Sequence, residues 1–312
     1  MTEMHPSTLE DFLAAPTEEI AVVAPATMIY APGGTRRQAV FNGIEPWSEE
    51  YMAWALDRMI GCSTIIFEHG VKHLFTPLFI STNFKEVNRH RDNVFRGIHK
   101  FLTNNHILSE YERLGWRVRL IGAESVPELS ETAEKLRAST LSESSRTLYW
   151  LVVPDPEEIW QQLFTIVHNS HARTRKEAVC AMYGEEIPPA TLYLAFGKPM
   201  VSLEIIPPLL LGELQCYWSQ QPGYTLTEKM FRTILFDYAY LRRTWQVEKL
   251  ERAKDALAYQ KEWEQELTLG LGMRLGLFWY PAPMTSPAWS KEQDMIAISE
   301  SSLFKQLFHE IC

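Results

Sequence analysis

The sequence predicts an α/β fold, a mainly parallel central sheet of about six strands flanked by helices. Three observations carry that prediction. Short runs rich in β-branched and aromatic residues alternate with longer stretches of helical periodicity from about residue 20 to residue 240. Strands separated by helices imply βαβ units with right-handed crossovers, and therefore parallel pairing. The first β-like run ends at Pro32-Gly33-Gly34, a glycine turn that feeds a helix, and in parallel sheets such strand-to-helix turns face ligands.

Each element has a local cause. Ala21–Tyr30 is rich in small and β-branched residues and reads as the first strand. Pro46 to Glu68 reads as a helix, with Ser48 as N-cap, two acids after it, and Gly70 closing it. Phe67-Glu68-His69-Gly70 is therefore read as a helix end, since adjacent Glu and His diverge on a helix and face one metal poorly. Val71–Ile80 is the second strand, and Arg89 to Leu114 is helical with breaks. Trp116–Ile121 is a strand, Pro127 to Ser139 a helix, and Arg146–Val153 a strand. Glu157 to Gly184 is helical, interrupted near His171–Thr174. Thr191–Phe196 and Leu214–Trp218 complete the strands, and Thr227 to Leu267 reads as a long helical stretch. This gives an N-terminal extension over 1–19, a single α/β domain over 20–268, and a C-terminal extension over 269–312.

Composition narrows the function. The chain of 312 residues has 39 acidic and 30 basic side chains, a net charge of −9. That balance argues against nucleic acid as a partner, which needs a basic face. No apolar run approaches the ~18–20 residues of a transmembrane segment, and the N-terminus lacks a signal-peptide pattern. Cys62, Cys180, Cys216 and Cys312 are scattered without a CxxC, which favours reduced thiols and a cytoplasmic location.

The strongest chemical signal is Pro32-Gly33-Gly34-Thr35-Arg36-Arg37. The glycines let backbone amides turn toward a ligand, Thr35 adds a hydroxyl, and two arginines add forked donors matched to phosphate oxygens. The loop is neither a Walker loop nor GxGxxG. The DDxxD and DxDD metal signatures of terpene cyclases are absent, and there is no GxSxG for acyl transfer. The aromatic content of 12% permits a dry pocket walled by π-faces, which attract a carbocation.

Taken together, the motifs place a resemblance. Gly33-Gly34-Thr35-Arg36-Arg37 is similar to the DGTRR phosphate loop of the tuberculosinol and tuberculosinyl-adenosine synthase branch of the cis-prenyltransferase (undecaprenyl diphosphate synthase-like) fold family. Tyr51 falls at that branch's spacing from the loop. Ile66-Phe67-Glu68-His69-Gly70 with Thr76-Pro77-Leu78-Phe79 resembles its LFEHG…SPIF, and Ser81-Thr82-Asn83-Phe84 resembles the wider family's FSxENW. Arg117 to Gly122 resembles GIRVRFIGD, Leu194 to Lys198 resembles IGFGR, and Phe231 to Arg243 resembles RRILYDHIYLRHF. The likeness spans roughly residues 20–245.

This resemblance implies a diterpene synthase that ionises a cyclic C20 allylic diphosphate of kolavenyl or tuberculosinyl type. Water then quenches the cation to give a tertiary allylic alcohol and diphosphate. Arg36, Arg37, Tyr51 and Asn83 are the implied catalytic residues. Gly33, Gly34, Thr35, Arg36, Arg37 and Arg89 would bind the diphosphate, and Phe79, Phe84 and Phe196 would line the pocket. Glu213, in Gly212-Glu213-Leu214, resembles the second metal carboxylate of chain-elongating members, so Mg2+ is an implied cofactor. The first carboxylate of that family is Gly33 here. The elongators' RxGGExRxSN pocket is missing around Phe196–Ser202, which argues against chain elongation. A homodimer is implied as well. Three alternatives stay open: a catalytically silent partner subunit of a cis-prenyltransferase, prenyl transfer to a nucleoside, and transfer to isopentenyl diphosphate.

Overall fold

The structure, a computed structural model, describes residues 8–86, 91–198, 200–242, 257, 260–263, 272–275 and 278–281. Its contacts divide the chain into two units, residues 1–245 and 246–312. The first holds a six-stranded sheet in the order β3-β4-β2-β1-β5-β6, with every neighbouring pair parallel. The strands are β1 (Thr27–Ala31), β2 (His73–Ile80), β3 (Trp116–Ile121), β4 (Arg146–Val153), β5 (Ala190–Phe196) and β6 (Leu211–Ser219). In the second unit, described by itself, Gly272–Leu275 pairs antiparallel with Phe278–Pro281. The sequence reading placed its boundary at 268, and most residues from 243 to 271 lie outside the described set.

All five residues of β1 are buried, as expected of a central strand covered on both faces. Met28 and Tyr30 join the larger core cluster, and Ile29 and Ala31 the smaller one on the opposite face. β1 starts at Thr27 rather than Ala21. Ala21–Val23 instead form a 3-10 turn, and Pro25, which has no N–H to give to a ladder, separates that turn from the strand. The segment before the turn is anchored through Phe12 and Ile20, both fully buried.

The helices follow their caps. After α1 (Leu9–Ala14), α2 (Thr17–Ile20) and α3 (Thr35–Phe41), α4 (Glu49–Glu68) starts where the Ser48 hydroxyl accepts from the Tyr51 amide at 3.0 Å. It stops at Gly70, whose φ of +97° and approach to the Ala21 carbonyl leave no room for a side chain. His69 at this end is buried. Its Nδ1–H donates to the Ile65 carbonyl at 2.8 Å, and its Nε2 accepts from Arg232 Nε at 3.2 Å. The helix-end reading of Phe67–Gly70 therefore holds.

α5 (Ser81–Glu86), α6 (Arg91–Thr103), α7 (Asn105–Arg113) and α8 (Ser130–Ser139) follow. The interruption at His171–Thr174 separates α9 (Pro156–Ser170) from α10 (Arg175–Tyr183), with a capping box between Thr174 and Glu177. Of the helical stretch read from Thr227 to Leu267, the structure describes α11 (Glu228–Phe236), which widens into a π-turn over Asp237–Leu241, and most residues beyond 242 lie outside the described set. No described helix is long and apolar enough to cross a membrane.

β2 lies on one side of β1 and β5 on the other, so the strand order reverses between β1 and β5. The crevice beyond their carboxyl ends is where such sheets bind ligands, and it holds both Pro32–Gly34 and Gly197.

Candidate active site

The glycine turn is shaped by what surrounds it. Gly33 N–H donates to the Ala31 carbonyl at 2.9 Å, and its own carbonyl accepts from Gly223 N–H at 2.7 Å. A Cβ at Gly33 would stand about 1 Å short of an ordinary 3.4 Å contact with the Phe196 carbonyl oxygen. Gly34 adopts φ +82°, a conformation that favours glycine, and opens α3. Arg37 folds back across the turn. A Cβ at Gly34 would lie 2.8 Å from its guanidinium nitrogen, and one at Gly197 3.2 Å from the same atom. Arg37 therefore bridges the ends of β1 and β5.

The loop after β6 braces this turn from outside. Tyr224 N–H donates to Gln38 Oε1 at 2.7 Å, and Gly197 N–H donates to the Ser219 carbonyl at 2.9 Å. Three consecutive strand ends thus hold the turn through backbone bonds.

Thr35 and Tyr51 meet here, with their hydroxyl oxygens 2.8 Å apart. Tyr51 sits in the first turn of α4 and is 7% exposed. Burial pushes its phenol pKa up, partly offset by the Thr35 bond and the Arg36 charge, so at neutral pH the phenol keeps its proton.

Arg36 lies over the Trp47 ring, 5.2 Å from the centroid. Trp47 has φ +68°, rare for a bulky side chain and a local strain held by its surroundings. Its ring stands 6.0 Å from both Tyr51 and Phe79. Phe79 continues to Phe84 at 5.4 Å and Phe95 at 5.6 Å. A continuous aromatic wall therefore runs from the arginine into the core on one face of the sheet.

The remaining sequence-predicted residues divide. Asn83 stands at the carboxyl end of β2, where its Oδ1 accepts from Ile80 N–H at 3.0 Å and fixes the strand-to-helix turn. Phe196 turns into the core edge-on to Tyr30, with centroids 5.8 Å apart, and reaches the site through its carbonyl rather than its ring. Arg89 lies outside the described residues.

Glu213 is not brought to the turn. It is exposed near the amino end of β6, six residues before Ser219, which pairs with Phe196. In a parallel sheet that separation is ~20 Å at about 3.3 Å per residue, with the strand pointing away. The AELYF likeness located the strand but not the end of the sheet that its carboxylate occupies. Among the described residues, no three His, Cys, Asp or Glu side chains cluster as metal ligands. With Gly33 sterically closed to a carboxylate, the described residues do not fit a protein-held Mg2+.

Trp47, Phe95, Gln38 and Glu204 are site or bracing residues that sequence reasoning missed. Trp47 had a usable signal. It precedes the Ser48 N-cap and packs near Met52, the pattern of a hydrophobic staple. A shallow cleft lined in part by Leu151, Val153, Tyr183 and Leu203 lies apart at the ends of β3 and β4.

No protein-family model matches the chain. Its fold is that of the cis-prenyltransferases. Lavandulyl diphosphate synthase from Lavandula x intermedia, solved with dimethylallyl diphosphate, superposes with TM-score 0.50 at 14% identity, covering 70% of this chain and 97% of that one. A probable undecaprenyl diphosphate synthase from Campylobacter jejuni also gives 0.50, at 13% identity, covering 69% and 95%.

Sequence narrows the class. The (+)-kolavelool synthase of Herpetosiphon aurantiacus is 44% identical over 280 residues, 89% of this chain and 97% of that protein. Tuberculosinyl adenosine transferase of Mycobacterium tuberculosis is 26% identical over 248 residues, 75% of this chain and 83% of that protein. The chain belongs to the kolavelool synthase family, a branch of the cis-prenyltransferase fold.

Proposed function

We propose that this chain is a diterpene alcohol synthase. It ionises a cyclic C20 allylic diphosphate and quenches the cation with water, giving a tertiary allylic alcohol and diphosphate. The observation that carries the reading is the junction of Arg36, Arg37, Thr35 and Tyr51 with the aromatic wall at Trp47. One end of the site donates to an anion, and the other offers π-faces to a cation. As the C–O bond breaks, charge grows on the leaving diphosphate, and donors already fixed there bind it more tightly than they bind the ground state. The neutral Tyr51 phenol donates within this set, and Thr35 fixes its direction. The kinship with a kolavelool synthase supports the C20 alcohol product.

No step is assigned to a metal, because Gly33 and Glu213 do not supply its carboxylates. The relative that is an adenosine transferase favours testing a nucleoside as an alternative acceptor. A homodimer through the edge strand β6 is part of the proposal, supported by the exposure of Leu211 and Trp218 on it. A reducing, cytoplasmic setting is supported by free Cys62, Cys180 and Cys216.

The test is diphosphate release and product mass spectrometry with kolavenyl, tuberculosinyl and geranylgeranyl diphosphates, each with Mg2+ or EDTA and with or without adenosine. A tertiary C20 alcohol is the expected product. Adenosine capture would move the assignment to a transferase, and no release from any of the three would move it to a silent partner subunit.

A further inference from the structure

We infer that Trp47 is the positioning residue for Arg36. Its ring presets the guanidinium as a diphosphate donor, and the turn that carries it is strained in placing the ring there. The inference rests on the function proposed above.

The first observation is the turn itself. The Glu45 carbonyl accepts from Ser48 N–H at 3.3 Å and from the Ser48 hydroxyl at 2.7 Å, enclosing Pro46 and Trp47. Proline in the second place and positive φ in the third is the pattern of a type II turn, whose third place favours glycine. Here that place holds a tryptophan at φ +68°. Among the described residues, His171 is the one other non-glycine residue with positive φ. A bulky side chain persists in this conformation only where its surroundings over-determine it, and such outliers cluster at functional sites. A glycine would close the turn without strain, and Ser48 would still cap α4. What tryptophan adds is its ring.

The second observation is what the ring meets. The Arg36 guanidinium lies over it, 5.2 Å from the centroid, while Tyr51 and Phe79 stand 6.0 Å away. The Arg36 charge is also felt at the Tyr51 phenol, which places the guanidinium beside the Thr35–Tyr51 pair. A hydrophobic staple explains an apolar residue before the cap, and leucine would serve it. It does not explain a cation over the ring.

The third is the chemistry of the stack. A guanidinium on a ring is held through its own face, so the stack occupies none of its N–H donors. A carboxylate partner would take two of them. A long arginine side chain gives up rotamer freedom when it closes on an anion, and a ring that orders it beforehand removes part of that cost.

The experiment is calorimetric titration with inorganic diphosphate, beside diphosphate release from the diterpenyl diphosphates. The proteins are wild type, Trp47→Phe, Trp47→Leu and Trp47→Gly, each also carrying Arg36→Ala. Trp47→Leu keeps the staple without the ring, and Trp47→Gly suits the turn. Both are expected to weaken diphosphate binding by about threefold to tenfold, with Trp47→Phe within about twofold of wild type. In the Arg36→Ala background the same substitutions should change affinity by less than about twofold, because no guanidinium remains to be placed. A merely structural role lowers Tm and moves affinity equally in both backgrounds. Folded Trp47→Leu and Trp47→Gly proteins with wild-type affinity overturn the inference, as does an equal loss with and without Arg36. Wild type that binds diphosphate with this coupling but turns over no diterpenyl diphosphate upholds the positioning role and overturns the proposed function. Wild type that binds no diphosphate overturns both.

Discussion

Replacing Gly33 probes the steric closure of the turn. An alanine Cβ there would fall about 1 Å inside an ordinary 3.4 Å contact with the Phe196 carbonyl oxygen. Neither side yields freely. Gly33 is held by bonds to Ala31 and Gly223, and Phe196 ends a buried strand paired on both sides. Overpacking of this size costs about 1–3 kcal/mol, and for a body of this size about 2 kcal/mol lowers Tm by roughly 4–8 °C. The same displacement moves Gly34 and the Arg37 guanidinium above it, and a misplacement of about 1 Å at a reacting centre costs on the order of 10² in rate. Calorimetry and steady-state diphosphate release on Gly33→Ala and Gly33→Asp test both numbers. The expected result is a lowered Tm and kcat/KM in both variants, with the aspartate bringing no dependence on Mg2+. A Gly33→Asp protein as stable as wild type, active, and newly inhibited by EDTA would refute the reasoning, because the turn would then have room for a metal-binding carboxylate.

Three further outcomes are expected. Arg37→Ala and Arg36→Ala should each lower kcat/KM by about tenfold to a hundredfold or more, the range set by one charge-assisted bond of roughly 1.5–3 kcal/mol, as measured by diphosphate release. Tyr51→Phe removes the hydroxyl at 2.8 Å from Thr35 while keeping the edge-on ring contact with Trp47; a drop in kcat with stability lowered by no more than about 1 kcal/mol is expected, and unchanged kcat would remove Tyr51 from the donor set. Stability should fall in mild acid. Burial lowers the pKa of His69 and His73 below the usual 6.5, so each contributes fully above that pH. Below it the unfolded chain takes up protons first, costing up to about 1.4 kcal/mol per pH unit per histidine until the lowered folded value is passed. Denaturant midpoints at pH 7.5 and 5.5 should differ less in His69→Gln than in wild type.

Much of the fold was legible because its signals are local. β3 and β4 were read to the residue, since a run such as Arg146–Val153 declares a buried strand whatever its neighbours. α4 was readable from Ser48 and Gly70, and the break before α10 from its polar run. What failed depended on competition between signals. Ala21–Val23 has strand-forming side chains, but Pro25 and the turn before it prevailed. In the site, the glycine-arginine loop was readable from its own residues and Tyr51 from the family resemblance, and the structure joins Thr35 to Tyr51 by one hydrogen bond. Glu213 was misplaced because a motif gives the strand without giving the end of the sheet. Trp47 carried a local staple signal that went unread, whereas Glu204 was invisible because its partner lies in another segment. The Ser81–Glu204 bond joins residues 123 apart, and no local periodicity encodes such a pairing.

The bracing of the glycine turn by the loops after β5 and β6 has a kinetic side. A cradle assembled by backbone bonds before any ligand arrives does not relax when the reacting bond breaks. The departing diphosphate meets the same arginines, the same hydroxyls and more negative charge of its own than it had as an ester. It is therefore gripped hardest at the moment it must leave. The expected consequence is that free diphosphate competes with substrate for the same seat and that its escape slows turnover, which product-inhibition kinetics would show.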